Sequence, residues 1–275
     1  MKSTTILITG ATGKTGSRIS RLLEDAGLEV RRASRHSQTV FDWQDATTWP
    51  TALEGVQSVY ICFYPDFAFP GALDTLTAFV IAAKSAGVDR LVMITGRGER
   101  HAQLGEEVVL NSGVPATILR SAWFAQNFSE GSLHQPVMEN VIPMPGDGIG
   151  EPIVDLEDFA EVAAKVLTES GHESRIYEIT GPRVITFAEV ADILTETLNR
   201  HIQYIPITFE AFQEELQSAT DAEYAEIVTS IAKETFDGRN ENISGDVQLL
   251  LNRSSRDFSE FASRAAKTGC WSIAA

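Results

Sequence analysis

The chain has only two cysteines among its 275 residues, Cys62 and Cys270. Two thiols so far apart build neither a disulfide framework nor a thiolate metal cluster, so a reducing compartment and no bound metal are expected. Cys62 falls in the apolar run VYICF and reads as packing. Positive charge is scarce too: 22 lysines and arginines face 38 aspartates and glutamates, a formal net charge of −16 at pH 7. Such a surface repels phosphate backbones and acidic membranes, which argues against nucleic acid and membrane surfaces as partners. Long apolar runs are missing as well. No stretch approaches the roughly 20 apolar residues of a spanning helix, and the opening MKSTTILITG passes from a lysine into a strand-like run instead of a signal-like segment. A soluble cytoplasmic protein is expected. The few cations are unevenly spread, with Arg18, Arg21, Arg31, Arg32 and Arg35 inside SRISRLLEDAGLEVRRASRH. A basic patch on an acidic chain points to one bound anionic group.

What the sequence does have is alternation. STTILITG, LEVRRASR, VQSVYICFYP, VDRLVMITG and VPATILR read as strands. Between them lie helical patterns: KTGSRISRLLEDAG with Ile19, Leu22 and Leu23 inward, TTWPTALEG, LDTLTAFVIAAKSAG and AQLGEEVVLNSG. Helices end at or near Gly27, Gly55, Gly87 and Gly113. Short β-rich runs separated by amphipathic helices define a parallel sheet covered on both faces. After Arg120 the pattern loosens, with Pro136, Pro143, Pro145, Gly146, Gly148 and Gly150 marking turns. A helix from about Leu156 to Glu169 and a strand at RIYEITG return to the sheet. FAEVADILTETLNR is a further helix, IQYIPI follows, and a long helical region runs from about Thr208 to Phe236. The tail carries a last helix opened by SRDF, with Phe258, Phe261 and Ala265 inward and Trp271 docking it. The expectation is an α/β protein, a Rossmann-like doubly wound parallel sheet with a smaller, discontinuous substrate cap. Residues 1–120 form the dinucleotide-binding core, 121–155 a cap segment lining the substrate, 156–204 the completion of the core, and 205–275 a mainly helical C-terminal cap.

The first strand runs into TGATGKTG, where Gly10, Gly13 and Gly16 make G-x-x-G-x-x-G between a strand and a helix. A turn of this kind lets the backbone approach a pyrophosphate, whose charge meets the open N–H groups at the helix start. Thr12 and Thr15 can add hydroxyls or caps. A P-loop is excluded because Lys14 precedes the last glycine instead of following G-x-x-x-x-G. At the end of the second strand, a site for the unphosphorylated cofactor would place an acid; this chain offers Arg31, Arg32, Arg35 and His36. Arg35 is therefore assigned to a 2′-phosphate, with Arg31 or Lys14 assisting, and NADP, with NADPH preferred over NADH, is the expected cofactor. Phe63, at the end of the third strand, is placed beside it. Asp42 in FDWQD sits beside the adenine or caps a turn.

The segments TGATGKTG, FDWQD, GVDRLV, SGVPATILR, WFAQNF, DLEDFAEVAAKVL and YEITGPRVITFAEVADIL resemble the NmrA-like branch of the atypical short-chain dehydrogenases from residue 4 to about 205. That resemblance implies kinship with NAD(P)H-dependent quinone, azo and triphenylmethane-dye reductases, and with redox sensors that bind a dinucleotide without turning it over. FDW and GKT also resemble the festuclavine and agroclavine dehydrogenases. One departure governs the chemistry. Ordinary short-chain dehydrogenases carry Tyr-x-x-x-Lys after the fourth strand; here Thr95 ends that strand, and RGERHAQLGEEVV contains neither residue. Glu106 matches an acid common near the start of the next helix.

Reducing a ketone needs a proton for the alkoxide, which the tyrosine would supply. An iminium or triarylmethane cation needs none, and quinones and azo compounds need only a modest acid, so a site that mainly orients its reactants can omit the pair. Thr95 and His101 are the catalytic candidates; His101 either donates a proton or only holds Thr95 or a water. Arg97 contacts the cofactor or a substrate acid, or lies at the surface. Tyr64, Phe67, Trp123, Phe124 and Phe128 either wall an aromatic or polycyclic small-molecule substrate or pack the cap, and Met138 and Met144 would give an adaptable rim. Asp155 and Asp158 read as structural, Asp155 as a helix cap. The helix near 210–236 would pair with a second copy in a homodimer or pack internally. Two accounts follow: an NADPH-dependent oxidoreductase of conjugated, quinonoid or iminium acceptors, and a non-catalytic NADP-binding redox sensor acting through a protein partner.

Overall fold

The computed structural model describes residues 5–272; the first two residues of the expected opening strand, and the last three of the tail, lie outside them. In chain order the elements are β1 (Thr5–Thr9), α1 (Lys14–Asp25), β2 (Glu29–Ser34), β3 (Thr39–Val40), α2 (Trp49–Leu53), β4 (Val56–Ile61), α3 (Ala72–Ser85), β5 (Arg90–Gly96), α4 (Arg100–Leu110) and β6 (Ala116–Ser121). There follow α5 (Asn127–Glu130), α6 (His134–Met138), β7 (Val141–Met144), β8 (Gly150–Glu151), α7 (Leu156–Thr168), β9 (Arg175–Ile179), β10 (Ile185–Thr186), α8 (Phe187–Leu198) and β11 (Gln203–Pro206). The last four are α9 (Phe209–Ala219), α10 (Ala222–Thr235), α11 (Asp246–Leu251) and α12 (Phe258–Lys267). No helix among the described residues is long and apolar enough to cross a membrane.

The first of two compact units comprises the residues up to Gly96, Arg100–Ser121 and Phe159–Glu178. Its sheet has seven strands in the order β3-β2-β1-β4-β5-β6-β9, the last reaching Ile179. The neighbours from β3 through β6 pair in parallel, in a Rossmann-like α/β topology. The order reverses between β1 and β4, and the crevice at such a reversal is where ligands bind in open α/β sheets. β1, TILIT, is buried along its whole length, as a central strand covered on both faces must be. α1 buries Ile19 and Leu23, while Leu22 stays half-buried. Phe79 of α3 has no accessible surface, and Phe41, Trp43 and Trp49 meet it edge-on. Burying a ring of that size contributes about 2–3 kcal/mol, with edge-to-face geometry adding roughly 0.5–1.5 kcal/mol per pair.

The second unit comprises Arg97–Glu99, Ala122–Asp158 and the chain from Ile179 onward. This corrects the expected boundaries, since residues 179–204 belong here instead of completing the core. The reason lies in their pairing: β10 joins β8 antiparallel and β11 joins β7 in parallel, and Val190, Ala191 and Leu194 of α8 share one apolar cluster with Phe258, Phe261 and Ala262 of α12. The long helix expected over 208–236 is two helices. Thr220 is extended between them, and the Asp221 carboxylate accepts the Tyr224 N–H as the cap of α10, so the chain restarts where a capping residue is available. α12 begins as expected, with Asp257 and Glu260 forming a reciprocal capping box. Trp271 docks by donating its indole N–H to the Phe128 carbonyl at 2.8 Å.

Candidate functional site

At the carboxyl end of β1 the chain turns tightly into α1. Gly10 has a φ of +64°, and the Gly13 N–H donates to the Gly10 carbonyl at 2.9 Å. A Cβ at Gly16 would stand 2.4 Å from that same carbonyl oxygen, so only glycine lets the helix start this close to the strand. Gly13 caps α1 without a side-chain hydrogen bond, and the first turn holds no acidic residue. The partial positive charge of this 12-residue helix is thus left for an external anion.

A cleft of about 250 Å³ opens here, lined by the segments that follow β1 (Gly10, Thr12, Gly13), β2 (Ser34, Arg35, His36) and β4 (Cys62, Phe63, Tyr64), together with Phe41, Asp42, Trp43 and Gln44. All three strands end at the reversal of the sheet, which is the position a dinucleotide takes in this topology. The cluster of arginines is sorted by its partners. Arg31 donates to the Thr51, Ala52 and Glu54 carbonyls at the end of α2, and Arg32 is held by Glu24. Arg31 is therefore spent on the scaffold and does not assist at the cleft. Arg35 lines the cleft, its guanidinium 5.2 Å from the Tyr64 ring centroid. A planar cation held over an aromatic face keeps its donors available to a phosphate.

The cleft wall is aromatic. Trp43 donates its indole N–H to the Cys62 carbonyl at 3.0 Å and lies 4.8 Å from Phe63, which in turn stacks on Phe67 at 4.9 Å. Burial pushes the Cys62 thiol up, a nearby Thr15 hydroxyl pulling it partly back, so the group is a neutral wall atom. Asp42 lines the cleft and accepts the Gln44 N–H, closing its own turn.

Of the residues assigned from sequence, the structure gathers Gly10, Thr12, Gly13, Arg35 and Phe63 around this cleft. Gly16 and Thr15 shape the turn from within, Lys14 opens α1, and Tyr64, expected to face substrate, sits at the cleft beneath Arg35 with 60% of its surface exposed. Thr95 is buried and donates to Glu106 at 2.8 Å, while Arg120 grips the same carboxylate with Nε and Nη2. Its hydroxyl is thereby committed to an internal network. His101 lies exposed in the first turn of α4. Arg97 lies in the second unit, buried, with its guanidinium donating to the Asn240 carbonyl at 2.8 Å; it is not among the residues lining the cleft. Phe67 is buried against Gly105, where an added Cβ would meet its ring at 3.1 Å.

In the second unit, Trp123 packs edge-on against Phe187 and Phe236, and Phe124 bridges to Val154. Phe128 corrects its assignment as substrate wall: it is 0% exposed, locked between Phe187 and Phe258, and belongs to the core. Met144 is buried as well. Asp155 accepts the Glu157 N–H as a cap and pairs with Arg264; Asp158 is held by Arg253 and Arg256. Phe41 and Trp43 were not assigned from sequence, although FDWQD carries a signal for them: two aromatic rings flank the acid Asp42, and all three line the cleft.

The glycine turn and the crevice at the sheet reversal belong to a Rossmann-like α/β fold, one shared with NmrA, a negative transcriptional regulator solved in complex with NAD, at a TM-score of 0.72 and 15% identity over 99% of this chain and 100% of that one. No protein-family model matches the chain. By sequence it is similar to the NAD(P)H azoreductase of Xenophilus azovorans, 29% identical over 94% of this chain and 96% of the relative. It is similar also to the agroclavine dehydrogenase of Claviceps fusiformis, 28% identical over 94% and 96%. By fold it matches the triphenylmethane reductase of Citrobacter sp. complexed with NADP(H), with a TM-score of 0.75 and 24% identity over 95% of this chain and 99% of that one. The resemblance read from the motifs therefore holds across the chain, well past residue 205.

Proposed function

We propose that the chain is an NADPH-dependent oxidoreductase that delivers hydride to a conjugated aromatic, quinonoid, azo or iminium-type small molecule without a Tyr-x-x-x-Lys pair. The similarity to NAD(P)H-dependent reductases and dehydrogenases supports the oxidoreductase class. The observation that carries the finer reading is the sorting of the arginines: Arg31 and Arg32 are engaged elsewhere, and Arg35 stands at the cleft where a 2′-phosphate would meet it. The residues fit the group. The Gly10–Gly16 turn presents open amides to a pyrophosphate, Phe41, Trp43 and Phe63 offer flat apolar contact, and Arg35 counters an added phosphate charge. When bound, the reduced nicotinamide supplies hydride. This chain's residues orient it and exclude water, contributions that are large for reactions between two oriented partners.

The chemistry supports acceptors that carry their own activation. The Thr95 hydroxyl, at the end of β5, is given to Glu106 and is not held ready to protonate an alkoxide, which disfavours a simple ketone as substrate. That same commitment of Thr95 is the observation favouring the second reading, a redox sensor that binds NADP and acts through a protein partner. Purified protein mixed with NADPH and a panel of quinones, azo dyes, triarylmethane cations and cyclic iminium compounds separates the two when cofactor absorbance is followed. Turnover of members of the panel supports the oxidoreductase; tight NADPH binding without turnover of any acceptor supports the sensor.

A further inference from the structure

Two residues from opposite sides of the glycine turn meet across it. In the sheet, β1 lies between β2 and β4. Arg35 directly follows β2 and Tyr64 comes shortly after β4, so the strands that carry them stand two strand spacings apart, roughly 10 Å. Each backbone is fixed on its own side. The Ser34 hydroxyl accepts the His36 N–H and pairs with the Ser37 hydroxyl at 2.7 Å, and the Ser34 carbonyl accepts the Phe41 N–H, which ties the turn bearing Arg35. Opposite, the Trp43 indole holds the Cys62 carbonyl just ahead of Tyr64. The side chains span the gap: the guanidinium carbon of Arg35 lies 5.2 Å from the Tyr64 ring centroid, inside the range of a cation–π contact. Among the described residues Arg35 has no hydrogen bond and no ion pair, whereas Arg32 is held by Glu24 and Arg120 by Glu106. A ring attracts a cation through its π face and leaves the five N–H donors and the full charge in place, where a carboxylate would have taken both. Tyr64 is itself 60% exposed, so its ring contributes little to the core.

We infer that Tyr64 is a specificity-determining positioning residue: its ring holds Arg35 across the cleft as a clasp, and preference for a 2′-phosphate belongs to the pair instead of to the arginine alone. The inference rests on the NADPH reading of the cleft. An arginine loose in water gives up rotamer freedom when it grasps a phosphate. One already held by a ring has given up part of it beforehand, and preorganisation of this kind raises affinity. The gain reaches only a ligand that touches Arg35. A dinucleotide without the phosphate presents a neutral ribose hydroxyl there and draws no charge-assisted contact from the clasp.

The test grades the ring. Dissociation constants for NADPH and NADH are measured by fluorescence titration for the wild type, Tyr64→Phe, Tyr64→Leu, Arg35→Ala and the double variant with Arg35→Ala and Tyr64→Leu. Because the Tyr64 side chain is largely exposed, replacing it opens no cavity in the core. Tyr64→Phe should keep the wild-type NADPH-to-NADH affinity ratio, since a phenyl face also attracts a cation. Tyr64→Leu should lower that ratio about two- to fivefold, the scale of a cation–π contact at an exposed site. In the Arg35→Ala background Tyr64→Leu should lower it no further, as expected for two residues acting through one contact. Equal weakening of both cofactors by Tyr64→Leu would make the ring a plain wall contact, and a ratio left unchanged or raised would show that the ring does not hold Arg35 for phosphate. A loss in Tyr64→Phe as large as that in Tyr64→Leu would assign the effect to the hydroxyl, and a further loss in the double variant would place it outside the pair. Each of these results overturns the inference while Arg35→Ala still lowers the ratio. If Arg35→Ala leaves the ratio unchanged, the NADPH reading of the cleft falls and takes the inference with it.

Discussion

Glu151 allows a prediction in which the sign as well as the size is fixed by its surroundings. It lies on β8, 3% exposed, in the second unit with Arg97, Asn240 and Glu241 around it. Its Oε1 has no hydrogen-bond partner. Burial pushes the carboxyl from an ordinary 4.5 up to about 8; Asn240 and Arg97 oppose the shift, and Glu241 adds to it. Between those two values the folded chain holds a proton that the unfolded chain has released. Stability contributed by this group is therefore complete below about pH 4.5 and is lost as pH rises through about 8. At about 1.4 kcal/mol for each pH unit of displacement, the ceiling on the loss is roughly 4–5 kcal/mol. Glu151→Gln keeps the shape and removes the titration. In urea denaturation at pH 5, 7 and 9, the variant should nearly match the wild type at pH 5, exceed it by about 3 kcal/mol at pH 7 and reach the full difference by pH 9, every other titrating group being common to both. Parallel midpoints for the two proteins across that range would refute the reasoning.

Two further substitutions probe the site and the scaffold. Arg35→Ala should weaken NADPH binding by about 2 kcal/mol, or some 30-fold, the scale of a charge-assisted contact to phosphate, and leave NADH nearly unaffected; titration by fluorescence reads both, and equal losses would remove the 2′-phosphate assignment. Asp158→Ala strips a fully buried carboxylate from Arg253 and Arg256, and breaking such a cluster should cost about 3–5 kcal/mol, visible as a lowered melting temperature; an unchanged value would show that the two arginines repair themselves in water.

The first unit was largely legible because its signals are local. TILIT is short, apolar and followed at once by the glycine turn. Gly27 and Gly87 do end their helices in the left-handed region, at φ +77° and +81°, a conformation that marks glycine in any sequence. Arg35 could be placed because a strand fixes where its end lies relative to the fingerprint. What escaped depends on partners distant in sequence. β3 is two residues long, too short to carry a period. β7 and β11 pair across some sixty residues, and that pairing moved 179–204 out of the expected core. Arg31 and Arg35 are alike in sequence, and only the carbonyls of α2 distinguish them. Phe128 follows Trp123 and Phe124 just after a strand, and what makes it a core ring instead of a wall is its packing on Phe187 and Phe258, both distant in the chain. The break at Thr220 had a local signal, Asp221 in a capping position, which the apolar pattern on either side obscured.

Hydride transfer itself can be followed directly with NADPH deuterated at nicotinamide C4 and a triarylmethane cation as acceptor, because the carbon–hydrogen bond formed at the central carbon does not exchange with water. Using each C4 diastereomer in turn, mass spectrometry of the reduced dye should find one deuterium per molecule with one of the two, alongside stoichiometric NADP⁺. Dye left unreduced while the protein holds NADPH tightly would contradict the account and leave a cofactor-binding sensor in its place.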